Sequence, residues 1–164
     1  MDRVRLAVPA DASAIASVHR ESRAEYYGDP PDVRDGREAM WEHLLTLADG
    51  VTFVVEDDGT IVAFLSARHV RIPETALEMA ALYVQPDRFG RGTGTLLHEV
   101  FQSERGAHEV GLLEVWAGNQ RAIDFYRRHG WVATSTTRPG PRDTPFITYR
   151  FLGHSPDRGV SQAS

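Results

Sequence analysis

The stretch with the clearest chemical meaning is a loop with three alternating glycines, Gly90, Gly92 and Gly94, which follows an apolar run. Glycine lacks a Cβ atom, so the backbone can bend tightly and a ligand can approach it closely. An amphipathic segment begins directly after the loop, and the first turn of a helix offers unpaired N–H groups and a positive dipole end. The loop therefore predicts a cradle for a phosphate or pyrophosphate, to which Arg88 and Arg91 would add charge.

Two known glycine-rich motifs do not match the sequence of this loop. The phosphate loop of nucleotide hydrolases requires a lysine after its last glycine, and the sequence contains no lysine. The dinucleotide fingerprint requires G-x-G-x-x-G, whereas Leu97 stands where the last glycine should be. A plain strand-to-helix turn without a ligand would compete with the anion cradle if the loop stood alone.

Two further motifs accompany the loop. Glu78 to Val84 precedes it with the pattern E-x-x-x-L-x-V, and Asn119 to Trp131 follows it with N-x-x-A-x-x-F-Y-x-x-x-G-W. In order and spacing, the three motifs resemble those of the GNAT N-acetyltransferases, whose coenzyme loop reads [QR]-x-x-G-x-[GA]. Gly92 to Gly94 fits the end of that pattern, and Phe89 stands at the Gln/Arg position. The resemblance is specific from about Glu78 to Trp131.

The resemblance implies that acetyl-CoA is the acetyl donor. The histidine spacing and the lack of cysteine predict that no metal takes part. Main-chain groups of one strand, Leu82, Tyr83 and Val84, would pair with the pantetheine arm. The loop would hold the pyrophosphate, and its expected contacts are Phe89, Gly90, Arg91, Gly92, Thr93, Gly94 and Thr95. For Phe89, a packing role at the base of the loop is the preferred alternative. Asn119 would bond the coenzyme arm, cap a helix, or do both.

The reaction implied by the resemblance is transfer of the acetyl group to an amine within a ternary complex. A primary amine has a pKa of about 10, so a base is needed to take its proton. Glu78 is the candidate base, because its apolar sequence neighbours would raise the pKa of its carboxyl group. A solvated residue or an arginine ion pair is the alternative. Tyr126 matches the general acid that protonates the leaving thiolate.

Composition limits the remaining possibilities. A net charge of −5 argues against a nucleic-acid partner. The absence of cysteine excludes disulfides, thiolate metal sites and an acyl-cysteine intermediate. The N-terminus does not read as a signal peptide, and no apolar run is long enough for a membrane span. We therefore expect a cytoplasmic protein whose partner is a small-molecule or peptide amine, with a homodimer left open.

The chain is expected to form one domain over residues 1–152, followed by a polar, disordered tail over 153–164. Hydrophobic periodicity predicts the element order β-α-α-β-β-β-α-β-α-β-β, with Asp11 capping the first helix. This order matches the GNAT layout of the α/β (α+β) class. That layout is a mixed, mostly antiparallel sheet of about seven strands with helices on both faces.

The acceptor is not specified by the sequence. The resemblance assigns the acceptor wall to the first helix and the loop after it, where acidic and aromatic residues cluster: Glu21, Glu25, Tyr26, Tyr27, Asp29 and Asp32. A solvated acidic helix end is an equal alternative. The histidines lack a metal-binding spacing, and His98 and His108 are expected at the surface. A non-catalytic acetyl-CoA sensor on the same fold is the rival function.

Overall fold

In the residues that the computed structural model describes, 1–28, 34–71, 74–107 and 109–153, the chain forms seven strands and four α-helices. Their contacts divide the chain into two compact units, Met1–Glu109 and Val110–Ser164. The predicted count of about seven strands in an α/β fold is confirmed. The single domain over residues 1–152 stays a prediction, and all of the predicted tail except Gly153 lies outside the described residues.

The first unit is a four-stranded antiparallel sheet with three helices. Its elements are β1 (Arg3–Leu6), α1 (Ala12–Tyr27), α2 (Arg37–Leu44), β2 (Gly50–Asp57), β3 (Thr60–Val70), β4 (Ala76–Val84) and α3 (Thr93–Glu104). The strands follow the order β1-β2-β3-β4, and each pair of neighbours is antiparallel. The hairpin between β2 and β3 turns through Asp58 and Gly59, both with positive φ, which suits a tight two-residue turn.

Both faces of this sheet are covered. Five consecutive residues of β3, Ile61 to Leu65, are buried, and such a run is typical of a strand enclosed on both sides. On one face, α1 and α2 pack against Val54 and Phe64 through side chains that include Ile15 and Trp41. Helix α3 also contacts β3 and β4. Since α1 and α2 occupy the face of Phe64, α3 covers the other face.

Strand β4 carries a bulge that the sequence did not predict. Ser66 of β3 pairs with Ala81, but the next residue, Ala67, pairs with Met79, so Ala80 has no partner in the ladder. Side chains alternate between faces along a regular strand, and an extra residue reverses that alternation. As a result, Glu78 lies on the same face of the sheet as Tyr83, the face covered by α1.

The second unit contains β5 (Val110–Trp116), α4 (Gln120–Arg128), β6 (Trp131–Arg138) and β7 (Phe146–Phe151). Strand β7 lies between β5 and β6 and is antiparallel to both. Helix α4 packs on β6 and buries Ile123 and Tyr126. The largest fully buried side chains of this unit are Trp131 and Tyr149, each of which stabilises the fold by roughly 1.5–3 kcal/mol through burial.

Two local predictions are wrong. Asp11 does not cap α1 with its side chain. A 3₁₀ turn, Pro9–Asp11, precedes the helix, and the carboxylate accepts from the Val8 N–H at 2.8 Å and from Arg5 at 2.7 Å. His98 is buried, not exposed. It lies three residues before the buried Phe101, which places it beside the covered face of α3. His108 lies outside the described residues.

Candidate acetyl-CoA and amine site

The glycine loop has the backbone geometry of an open cradle. Gly90 and Gly92 adopt φ values of 74° and 86°, a region that residues with side chains rarely occupy. A Cβ atom built on either glycine would meet no atom within 4 Å, so space above the loop is open. Gly92 is the N-cap of α3, and its carbonyl accepts from Leu96 N–H at 3.0 Å. The N–H groups of the first turn therefore begin at the loop.

The two arginines of the loop have different surroundings. Arg88 forms an ion pair with Asp57 at 2.6 Å, so its charge is balanced and the loop is tied to the β2–β3 hairpin. Arg91 is exposed and has no ion-pair partner among the described residues. Phe89 is half-buried, as a packing side chain would be. Of the two charges expected at the cradle, only that of Arg91 is unbalanced by a neighbouring carboxylate.

Strand β4, which precedes the loop, is held by β3 and by α1. Leu82, Tyr83 and Val84 pair with β3, and the Val84 carbonyl also accepts from the Ser22 hydroxyl of α1 at 2.8 Å. Val84 is buried and Leu82 is half-buried, which agrees with a core role for both side chains. The pairing of their main chain with a coenzyme arm stays a prediction.

Glu78 pairs with an arginine. It lies opposite Arg68 in the ladder, and its carboxylate Oε1 accepts from Arg68 Nη2 at 2.8 Å and from Nε at 3.2 Å. The surroundings of Glu78 are not purely apolar, because its cross-strand neighbour on the same face is the cation of Arg68. This is the ion pair that the sequence left as the alternative, and it is partly exposed. Its catalytic role stays a prediction.

An aromatic cluster joins α1 to β4 on the same face. The Tyr26 and Tyr83 hydroxyl oxygens lie 3.2 Å apart. The His19 ring is 4.7 Å from the Tyr83 ring, and His19 Nδ1 accepts from Trp41 Nε1–H at 3.2 Å. Burial, and then the charge of Arg37, lower the pKa of His19 to about 3, so this histidine is neutral near pH 7.

Neither His19 nor Trp41 was among the predicted site residues. His19 and Tyr26 are seven residues apart and therefore share one face of α1, which is a signal that could have found them. Their contact with Tyr83 depends on how α1 crosses β4, and no local pattern encodes that crossing.

The predicted acceptor wall is partly described. Glu21 and Glu25 of α1 line an open pocket of about 420 Å³ together with Gln85 and Asp87, which follow β4. Tyr27 is buried and packs against the Arg23 guanidinium at 4.6 Å. The predicted residues Asp29 and Asp32 lie outside the described part of the chain. Acidic side chains on this pocket fit an acceptor wall and a solvated acidic helix end equally well, and the acceptor wall stays a prediction.

In the second unit, Asn119 and Tyr126 lie at opposite ends of α4. Asn119 is the N-cap, and its Oδ1 accepts from Ala122 N–H at 3.2 Å. Tyr126 is 8% exposed and meets the rings of Phe125 and Trp131 edge to face, at 5.4 Å and 6.1 Å. The capping alternative for Asn119 is thus present in the structure. The coenzyme contacts of both residues stay predictions.

A family comparison identifies the class of protein. Residues 15–131 match the model of the Acetyltransferase (GNAT) family, and the chain belongs to that family. The predicted family is confirmed.

Individual relatives agree with this assignment. The peptidyl-lysine N-acetyltransferase YiaC of Escherichia coli K12 is 32% identical over 114 residues, which cover 69% of this chain and 66% of that protein. The chain thus spans slightly less than two thirds of the relative's length.

Solved structures share the fold. A GNAT-family acetyltransferase structure from Desulfovibrio desulfuricans superposes with a TM-score of 0.72 at 19% identity, covering 92% of this chain and 98% of that one. The PaiA N-acetyltransferase from Thermoplasma acidophilum, solved in complex with coenzyme A, gives 0.70 at 16% identity, covering 90% and 98%. The predicted GNAT fold is confirmed.

Two further observations concern membranes and metals. None of the helices in the described ranges has the length and apolar character that crossing a bilayer requires. The described residues also bring no three His, Asp or Glu side chains together as ligands for a metal ion.

Proposed function

We propose that this protein transfers an acetyl group from acetyl-CoA to an amine by direct attack in a ternary complex. The observation that carries the proposal is the open glycine cradle at the start of α3, where Gly90 and Gly92 have positive φ and open space above them. Main-chain N–H groups at a helix N-terminus bind phosphate well. The coenzyme A complex of PaiA supports the same ligand here.

The proposed reaction forms one bond and breaks one. The amine nitrogen attacks the thioester carbonyl carbon, the C–S bond breaks, and coenzyme A leaves as a thiolate. Tyr126 gives the thiolate its proton, as the family resemblance assigns. Glu78, directly or through water, takes the proton that the amine loses. Because the chain has no cysteine, the acetyl group cannot pass through an acyl-cysteine intermediate.

The acceptor is proposed as an amine, and a protein lysine is the first class to test. The Escherichia coli relative is named a peptidyl-lysine acetyltransferase, and the pocket beside Glu21 and Glu25 would attract a cationic acceptor. Small amines remain candidates, because the same charge would attract them.

A thiol-release assay with acetyl-CoA tests this function. The panel contains an N-terminally blocked lysine peptide, a lysine-free peptide with a free N-terminus, and spermidine. Calorimetry with coenzyme A, NAD and ATP is run beside it. We expect binding of coenzyme A alone and turnover of at least one amine. Coenzyme A binding without any thiol release would support the sensor function, and binding of NAD alone would contradict the coenzyme assignment.

Tyr126→Phe tests the proposed acid. A coenzyme thiolate, with a thiol pKa of about 8.5, is already a tolerable leaving group. We therefore expect kcat to fall by about 10- to 10³-fold, while the Kd for coenzyme A stays nearly unchanged. Tyr149→Phe, at a site only 1% exposed in the same unit, is the matched control and should keep wild-type turnover. Wild-type kcat in Tyr126→Phe would remove the acid role.

A further inference from the structure

The hydroxyl groups of Tyr26 and Tyr83 have no role in the proton transfers described so far. Its two hydroxyl groups lie 3.2 Å apart, one from the last turn of α1 and one from β4. Burial, together with the interaction with Tyr83, raises the pKa of Tyr26 above its ordinary value. Tyr26 is therefore neutral near pH 7, and its hydroxyl group takes part in the pair as a hydrogen-bonding group. Its location relative to the proposed reaction is what suggests a function.

Tyr83 lies in the part of β4 to which the pantetheine arm of the coenzyme is assigned. Its sequence neighbours Leu82 and Val84 belong to the main chain that is proposed to pair with the coenzyme arm. Its side chain points to the face covered by α1, as the alternation of the strand requires. The bulge at Ala80 brings Glu78 to that same face. Ala81, which lies between Glu78 and Tyr83 on this face, has a small side chain.

The hydrogen-bonding capacity of Tyr83 is only partly used. A tyrosine hydroxyl has one donor and can also accept, and Tyr26 is the hydrogen-bond partner of Tyr83 among the described residues. If Tyr83 donates to Tyr26, its oxygen can still accept from an amine N–H. If Tyr26 donates instead, the Tyr83 O–H can still donate to a ligand. In both arrangements, Tyr83 keeps the capacity for one further hydrogen bond.

The surroundings hold the Tyr83 ring in place. The ring packs against His19 at 4.7 Å and Phe64 at 5.7 Å. Trp41 fixes His19 through the bond to Nδ1, and the Ser22 hydroxyl ties α1 to the next residue of β4. A hydroxyl group held in this way loses little rotamer entropy when it binds a ligand.

We propose that the Tyr83 hydroxyl group contacts the nitrogen of the acceptor amine, and that Tyr26 positions Tyr83 for this contact. The inference rests on the proposed function and names a residue of the same site. The contact is a hydrogen bond only. It orients the amine beside the thioester, and the proton transfers remain with Glu78 or water and with Tyr126.

The test uses Tyr83→Phe, Tyr26→Phe and the double variant, with Tyr149→Phe as the control for loss of a buried hydroxyl group. Steady-state kinetics are measured with acetyl-CoA and the amine that the thiol-release panel identifies, starting with the blocked lysine peptide. Calorimetry with coenzyme A shows that each variant is folded and measures its Kd. For Tyr83→Phe we expect the kcat/KM for the amine to fall about tenfold. The Kd for coenzyme A should stay within about twofold.

Tyr26→Phe should give a smaller loss in the same constant, because it acts through Tyr83. The double variant should then be no worse than Tyr83→Phe, since residues that act as one unit are not additive. The inference is overturned if Tyr83→Phe keeps the kcat/KM for the amine, or if the Kd for coenzyme A rises by the same factor, as a packing role requires. A wild-type protein that binds coenzyme A but acetylates no amine would overturn the proposed function as well.

Discussion

Two neighbouring regions of the first unit, the glycine loop and the α1-facing side of β4, are built in different ways. The loop, Gly90 to Thr95, presents main-chain groups, and its geometry is set by two glycines with positive φ. The face presents side chains, Glu78 and Tyr83, and its geometry is set by a bulge and by the packing of α1. We propose that the loop binds an anion and that the face contacts the amine.

The difference concerns how much each region depends on distant parts of the chain. A main-chain cradle needs only the local backbone conformation, so changes inside the loop should have the largest effects. The side-chain face requires β3 and β4 to pair in this register and α1 to pack against them. Single side-chain changes there should therefore have smaller, graded effects on binding and turnover.

Gly92→Val should have the largest effect. Gly92 has a φ of 86°, which a β-branched residue adopts only with strain of about 1–3 kcal/mol. The side chain would also enter the space above the cradle. We expect the Kd for coenzyme A to rise by roughly a hundredfold or more, measured by calorimetry.

Gly36→Val is the matched control for that change. Gly36 is the N-cap of α2, with a φ of 81° and open space around a built Cβ. The backbone strain should be similar, and the melting temperature should fall in both variants. Coenzyme A binding that is equally weak in Gly36→Val would show that the loss reflects unfolding and not the cradle.

Glu78→Gln should have the next largest effect. If the carboxylate takes the amine proton, kcat should fall by about 10²-fold or more near pH 7. The loss should shrink toward pH 10, where more of the amine is already neutral. The pH profile of kcat is the measurement.

Arg68→Met separates catalysis from structure, because it removes the partner of Glu78 and leaves the carboxylate. The ion pair is partly exposed, and such pairs contribute little to stability. Equal losses of kcat in Arg68→Met and Glu78→Gln would show that only the ion pair matters. A much larger loss in Glu78→Gln would support the base.

The sequence predicted the loop better than the face for a physical reason. Glycine spacing indicates the backbone requirement directly, because Gly90 and Gly92 are the residues that adopt positive φ in the loop. The bulge at Ala80 carries no comparable signal, because alanine fits a regular strand equally well. Regular alternation would have placed Glu78 and Tyr83 on opposite faces.

Long-range contacts could not be predicted from the sequence either. The apolar neighbours of Glu78 suggested an apolar environment, but strand pairing places Arg68 opposite it. The pairing of Arg88 with Asp57 joins residues 31 positions apart, and nothing local selects between Asp57 and a bound phosphate as the partner of that arginine.

Asp57→Asn should have a modest effect on the loop. The carboxylate holds Arg88 at 2.6 Å, and its loss would free the guanidinium and loosen the loop. Because exposed ion pairs are weak, we expect the Kd for coenzyme A to change by only about two- to fivefold. Asp58→Asn, in the same hairpin, is the control and should leave the Kd unchanged. A hundredfold change would mean that the main-chain cradle depends on this side chain and not only on the local backbone conformation.

The smallest effect is expected at low pH, for the ion pair between Asp35 and Arg20 of α1, the helix that covers this face of β4. Asp35, just before α2, accepts from Arg20 Nε and Nη2 of α1 at 3.2 Å and from Arg37 N–H at 2.9 Å. The Arg20 hydrogen bonds, and then the Arg37 N–H, lower the pKa of Asp35 to about 2, below the unfolded value of about 3.9. A lowered folded-state pKa stabilises the fold above the unfolded pKa, and this contribution is lost as the pH falls through about 4 toward 2.

Urea unfolding of the wild type and of Asp35→Asn between pH 5 and pH 2.5 measures this contribution. The wild-type midpoint should fall more steeply than that of Asp35→Asn, so the two curves should converge at the acidic end. The difference should be small, because the Asp35 side chain is partly exposed and water screens its charge. Parallel curves would show that Asp35 does not hold α1 to α2. The position of Tyr26 against β4 would then depend on packing and on the Ser22 hydrogen bond alone.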